Sequence, residues 1–343
     1  MASTAVPRRR VTSRQVDVLL EVLTVLVVAS GLTSWAVGTT WSRVFTAVHG
    51  VAGLTLVALA PAKILGSVRT GMRRRRPTCW FSLALAGLVI ATIVLGVVHS
   101  TGLWFGVGYW SALWTHELAA FSLVGIFVWH VISRPARPKV TDLDRRAVLR
   151  GGSALAVGAS AYGAQEIVVR VLGLAGGTRR FTGSHEVGSF DPARMPNVSW
   201  INDTAPSTLD GDWRLEVAGE RVDLARLGRL ARPVTATLDC TGGWCSTQSW
   251  DSVPLSALLG PGPAHARSIS VTSTTGYSRL FPIADIERLY VAVGYGGEPL
   301  RRRHGGPVRL VAPGRRGPWW IKWVASIELD DRPWWAQFPF PLE

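Results

Sequence analysis

The chain is 343 residues long, with 37 Lys and Arg against 23 Asp and Glu, a formal net charge of +14 and three cysteines. That length suits about two domains of roughly 100 to 200 residues each, and so few cysteines exclude a disulfide-stapled scaffold. The arginines gather in short blocks beside apolar runs instead of along one soluble face, which reads as a membrane-topology signal and argues against a nucleic-acid partner.

Apolar runs crowd the first half, whereas the chain beyond residue 178 reads as an ordinary globular mixture. Four segments, roughly 17 to 38, 42 to 66, 79 to 100 and 110 to 133, have the length and apolarity of membrane-crossing helices. Their flanks orient them. Arg8, Arg9, Arg10 and Arg14 precede the first, Lys63, Arg69 and the run Arg73 to Arg76 close the second, and Arg134, Arg137, Lys139, Arg145 and Arg146 follow the fourth. The connection around 39 to 43 holds only Arg43 and the one around 100 to 110 holds no charge. The positive-inside rule therefore puts the basic loops in the cytoplasm, and a multi-pass protein of the cell membrane, in contact with membrane lipid, is expected.

Ligand-type residues are costly inside a bilayer and are functional candidates by default. His49, His99, His116 and His130 all fall in these segments. His49 lies about seven residues into the second helix and His116 about six into the fourth, so at ~1.5 Å per residue both stand roughly 10 Å below the outer surface. Their shared depth makes them the expected axial pair of one haem b. His99, at the outer end of the third helix, suits an interfacial position or a propionate contact as well as an axial role. His130 follows His116 on nearly the same helical face. That spacing resembles b-type cytochromes in which one helix carries a ligand to each of two haems, but the second helix has Lys63 at the matching inner position. A second haem linked to His130 stays open, and with it a transmembrane electron conduit.

A fifth apolar stretch, about 151 to 175, is interrupted by Glu166 and Arg170 and follows Asp144-Arg145-Arg146-Ala147-Val148-Leu149-Arg150. Paired arginines ahead of a moderately hydrophobic run resemble a twin-arginine export signal. An ordinary basic flank before a fifth helix gives the same topology. The expected organisation is a four-helix transmembrane cytochrome b-like domain over 1–140, a signal-anchor helix over 141–177 and a domain outside the cytoplasm over 178–343.

In that last domain, 213–217, 234–238, 268–271, 308–311 and 320–329 read as strands, and Pro254 to Leu259 as a short helix. A mixed α+β domain follows. Its most informative run is Leu238-Asp239-Cys240-Thr241-Gly242-Gly243-Trp244-Cys245, a cysteine beside two glycines that permit close backbone approach. Trp250 and Val253-Pro254-Leu255 follow, and downstream comes His304-Gly305-Gly306-Pro307-Val308-Arg309-Leu310-Val311-Ala312-Pro313-Gly314, continuing through Gly317 to Ile321-Lys322-Trp323. Two such motifs in this order resemble the molybdopterin-binding oxidoreductase domain of the sulfite oxidase family over about 180 to 343.

The resemblance implies an α+β mixed-sheet fold of sulfite oxidase type and a molybdenum–molybdopterin cofactor with Cys240 as its protein thiolate, a soft ligand suited to such a metal. His304, Arg309 and Lys322 would contact the pterin or its phosphate, and Gly242 and Gly243 would let the backbone approach the metal. Arg315 and Arg316, between Gly314 and Gly317, would form a basic, backbone-exposed loop for the same anion. Tyr277 and Arg279 are the expected pocket residues for a small-molecule substrate, with Asn202 and His185 in the region that approaches the cofactor in relatives. Cys245 is expected to be a spectator. The expected activity is oxygen-atom transfer outside the membrane, with electrons passing through haem b to or from a quinone or other carrier. The alternative is a domain without chemistry, serving as a binding module on a membrane cytochrome.

Overall fold

The structure is a computed structural model. It describes residues 13–73, 79–107, 110–133, 135, 139, 145–198, 204–206, 213–260 and 266–337. Asn202 and the arginines at 8–10, 74–76, 134 and 137 lie outside the described residues. The chain divides into two compact units, Met1–Leu32 with Arg43–Gly177, and Thr33–Ser42 with Thr178–Glu343.

The first unit is helical, built from α1 (Ser13–Ala36) up to Leu32, α2 (Ser42–Arg73) from Arg43, α3 (Cys79–Thr101), α4 (Ala112–Ser133) and α5 (Arg145–Val171), with a hairpin of β1 (Gly106–Val107) and β2 (Trp110–Ser111) between α3 and α4. Four stretches, Arg14–Ala36, Ser42–Gly66, Trp80–Thr101 and Ala112–Ser133, are long and apolar enough to cross a membrane, by length and composition. Large apolar side chains such as Val25, Val94, Phe121 and Ile132 stand exposed along them, where a soluble helix would carry charge. Hydroxyls return to their own backbone, Thr24 to Leu20 O, Ser30 to Leu26 O and Thr55 to Val51 O, which satisfies them without water.

The helix α5 begins at the arginine pair and ends earlier than the apolar run suggests. Gly173 takes φ +62, and Leu174 N–H reaches back to Val169 O while Gly173 N–H reaches Arg170 O. This left-handed glycine cap closes the last turn.

The second unit contains β3 (His185–Glu186), β4 (Arg214–Val217), β5 (Glu220–Asp223), α6 (Leu224–Leu230), β6 (Arg232–Asp239), β7 (Trp244–Pro254), α7 (Leu255–Leu259), β8 (Ser268–Ser273), β9 (Ser278–Pro282), β10 (Tyr290–Tyr295), β11 (Glu298–Pro299), β12 (Arg309–Val311) and β13 (Val324–Asp330). In one sheet β7 pairs antiparallel with β6 and β10 and parallel with β3, while β10 also pairs with β11 and β12. The other runs β5-β4-β13-β8-β9, with β4 and β13 parallel. Both sheets feed one core, from Leu215, Ile269 and Phe281 of the second to Trp250, Val291 and Leu310 of the first. Burying such side chains contributes about 1.5–3 kcal/mol each.

One sequence expectation is corrected. The run 320–329 is not a single strand, because β13 starts only at Val324. Trp323 adopts φ +50, with its N–H on Gly305 O and its indole Nε1 on Arg302 O. This bend takes Trp320 to Lys322 out of the sheet and places Lys322 beside the His304 segment.

Candidate active site

Cys240 occupies the tight turn between β6 and β7. Its N–H donates to Trp244 O (2.8 Å), and Gly243 N–H returns to Cys240 O (3.2 Å). Gly243 takes φ +89 there, a conformation that glycine adopts without a steric penalty. Gly242 N–H points at the sulfur, 3.3 Å from Sγ. The thiol is 8% exposed. Burial pushes it up to about 11, against the opposing pull of the Gly242 N–H and of Arg316 and Lys322. His185 lies beside this turn on β3, its N–H on Gly243 O. Cys245, buried on β7, is pushed up to about 12 by burial and by Asp239.

Behind the turn, the Asp239 carboxylate is fully partnered. Thr182 Oγ1 donates to Oδ2 (2.7 Å) and Ser184 Oγ to Oδ1 (2.7 Å), Arg180 Nε pairs with Oδ2 at 3.0 Å, and Arg316 Nη1 meets Oδ1 at 2.5 Å. Arg316 also donates from Nη2 to Cys240 O and from Nε to Trp35 O, in the Thr33–Ser42 segment that groups with this unit. The expected exposed basic loop is therefore corrected. Arg316 is 2% exposed, because its guanidinium neutralises a buried carboxylate. Arg315 is half-buried, paired with Asp285 at 2.8 Å and lying over the Trp319 ring. The adjacent Gly317 packs on the cysteine, since a Cβ there would meet Cys240 Cα at 3.3 Å.

The second motif supplies a cationic wall. Arg309, buried on β12, donates to His304 O (2.7 Å) and Trp320 O (3.2 Å) and lies over the Trp250 and Trp320 rings. Burial lowers it to about 10, with the fields of Tyr295 and Cys240 acting the other way. His304 Nδ1 shares a 2.7 Å hydrogen bond with Tyr295 Oη. Lys322 Nζ donates to Asn197 Oδ1, Val198 O and Arg303 O. The buried nitrogens His304 Nε2, Arg309 Nε and Trp244 Nε1 have no hydrogen-bond partner among the described residues. Unpaired buried polar groups cost about 1–3 kcal/mol each, so such atoms point to a ligand.

Arg279 lies on β9 and Tyr277 just before it, and both contact the Gly317–Trp319 turn. Tyr277 Oη donates to Pro318 O (2.7 Å) and accepts from Arg279 Nε (3.0 Å), and Arg279, 5% exposed, lies over the Trp319 ring. They brace the Gly317–Trp319 turn that reaches Cys240. Sequence reasoning missed Asp239, Arg180, Thr182, Ser184 and Tyr295. Of these only Asp239, adjoining the cysteine, carried a local signal.

In the first unit, His49 Nδ1 lies 2.9 Å from Val27 O and His116 Nδ1 2.8 Å from Thr92 O. The two rings lie edge-on to one another, with centroids 5.9 Å apart and planes at 84°. Gly31 and Gly96 make room for them, since a Cβ on either would press on the His49 or His116 ring, at 2.9 and 3.1 Å.

Residues 202–338, which hold this cysteine turn and its cationic wall, match the family model of the oxidoreductase molybdopterin binding domain. Among individual proteins, the chain is 46% identical over 44 residues to the nitrate reductase [NADPH] of Mycosarcoma maydis, covering 13% of this chain and 4% of that protein. It is also similar to the sulfane dehydrogenase SoxCD from Paracoccus pantotrophus, with 25% identity, a TM-score of 0.35 and coverage of 37% of this chain and 40% of that one. The chain thus spans less than half the length of either.

Proposed function

We propose that the chain is a membrane-anchored molybdenum oxidoreductase acting on a small substrate outside the cytoplasm, with Cys240 as the protein thiolate on a molybdenum–molybdopterin cofactor and one haem b between His49 and His116. The observation that carries the reading is that Arg309 donates to His304 O and Lys322 to Arg303 O beside His304 Nε2 and Arg309 Nε, two buried nitrogens without hydrogen-bond partners among the described residues. A buried thiol raised to about 11 is protonated at neutral pH, and a metal ion is the partner that draws it into the thiolate form. When bound, the molybdenum cofactor supplies two-electron oxygen-atom transfer and the haem supplies single-electron exchange with a quinone or other carrier.

The protein's part is positioning. Gly242 N–H steadies the sulfur, and Arg309 and Lys322 offer positive charge to an anionic cofactor. Arg315, Tyr277 and Arg279 shape the loop through which Gly317 approaches Cys240. Asn202 enters by resemblance alone.

For the haem, the Nδ1 contacts with backbone carbonyls support neutral rings whose Nε2 lone pairs are available to a metal. His49 and His116, whose ring centroids lie 5.9 Å apart, would together hold the haem iron. Lys63, at the inner position where a second ligand would stand, is paired with Asp17 at 2.6 Å. That pairing favours one haem over a transmembrane conduit. Exposed Trp41, Trp104 and Trp110 near one set of helix ends, with Trp80 and Trp129 near the other, support a bilayer setting.

The test is to purify the full chain and quantify molybdenum, pterin and haem, then screen sulfite and sulfoxides in both directions of electron flow. Molybdenum and haem equimolar with the chain are expected, and Cys240→Ser should lose the metal-site signals while keeping the haem spectrum. Absence of a b-type spectrum removes the haem half of the reading, and absence of pterin removes the other half.

A further inference from the structure

The charge cluster behind Cys240 contributes no ligand, yet it is built more fully than charge neutralisation requires. A single cation would balance the Asp239 carboxylate. Instead Arg180, Arg316, Thr182 and Ser184 occupy both oxygens from two separate segments. The geometry is directional as well. One guanidinium holds the Asp239 side chain through Nη1 and the Cys240 carbonyl through Nη2, and residues 239 and 316 pair as an isolated parallel bridge. The next residue, Gly317, rests on the Cys240 Cα.

The cysteine backbone is thus fixed from a second chain segment, independently of its own hairpin, and the Gly242 N–H at 3.3 Å fixes where the sulfur points. Metal ligands act only when their own geometry is held to within about 0.5 Å, and that is the work of the groups behind them. We infer that Asp239 and Arg316 are positioning residues for the Cys240 sulfur, holding the backbone from which it reaches molybdenum. This inference rests on the molybdenum reading above. It predicts that Arg cannot be replaced by Lys at position 316, because an ammonium lacks the planar fork that spans carboxylate and carbonyl together.

The experiment compares full-length, cofactor-loaded wild type with Arg316→Lys, with Thr182→Val, which keeps the ion pair and removes one hydrogen bond, and with the exposed control Arg226→Lys. Molybdenum per folded chain is measured beside the Mo(V) paramagnetic resonance signal after partial reduction with dithionite and the sulfur-to-metal absorption band. Arg316→Lys is expected to retain metal but shift both spectroscopic signatures, with turnover of an active substrate falling on the order of tenfold to a hundredfold at little change in KM. Thr182→Val should shift the signatures in the same direction and less, and Arg226→Lys not at all. Wild-type signatures in both Arg316→Lys and Thr182→Val overturn the inference. Should Arg316→Lys fail to fold, Thr182→Val decides alone. A wild-type chain without molybdenum overturns the underlying reading instead.

Discussion

His304 is 1% exposed, and the consequence appears in its protonation. Burial, then the positive fields of Arg309, Arg303 and Lys322, lower it from 6.5 to about 3. In the folded chain it therefore stays neutral through a range in which an unfolded chain would take up a proton. Between pH 6.5 and 3 the unfolded state binds more protons, so this residue's contribution to stability is complete above about 6.5 and lost as pH falls toward 3. Thermal denaturation of the full chain across this window should show a falling midpoint. His304→Gln should be less stable at neutral pH, having lost the Tyr295 contact, yet flatter below 6.5. Parallel pH curves for the two proteins would count against the assignment. At this scale the motif residues were legible because the chemistry of a lone cysteine or histidine is local. The ion-pair role of Arg316 was not, since its partner Asp239 lies far away in sequence, at the end of β6. A charged loop and a buried ion pair share one sequence pattern until the fold brings the carboxylate in.

Among elements, the long apolar helices were readable from length and composition, and β7 was not. The strand Trp244 to Pro254 is rich in Ser, Thr and Gln, yet Ser246, Gln248 and Ser252 are fully buried. Ser246 and Gln248 donate to Gly188 O, and Ser252 donates to Trp250 O. Polar residues that bond to backbone carbonyls at the centre of a sheet remove the alternation by which a strand is recognised. The glycines of α5 likewise gain meaning from a neighbour. A Cβ on Gly158 would fall 2.0 Å from Thr55 Oγ1 of α2, whereas one on Gly163 would meet nothing within 4 Å. Gly158→Val should therefore force α5 from α2 and lower stability by about 1–3 kcal/mol. Gly163→Val should leave stability unchanged or slightly raised, since valine is the better helix former and meets nothing there. Detergent-solubilised protein, unfolded by heat and followed by circular dichroism, distinguishes the two, and equal losses would mean that no close approach exists at Gly158.

At the scale of the whole molecule, the two candidate metal-binding places draw on separate units. His49 and His116 belong to the first and Cys240 to the second, whose buried core is made from its own two sheets. Loss of one group should then leave the other in place. His116→Ala is expected to abolish the b-type absorption while leaving molybdenum and pterin at wild-type levels, and Cys240→Ala to do the reverse. Turnover measured with a soluble dye as electron donor or acceptor should survive in His116→Ala, because the unit that holds Cys240 is intact, whereas turnover coupled to a quinone should fall to background. If His116→Ala instead loses molybdenum in step with haem, the two units are not loaded independently. If quinone-coupled turnover persists without haem, electrons reach Cys240 by a route that bypasses the histidine pair, and the membrane unit is an anchor.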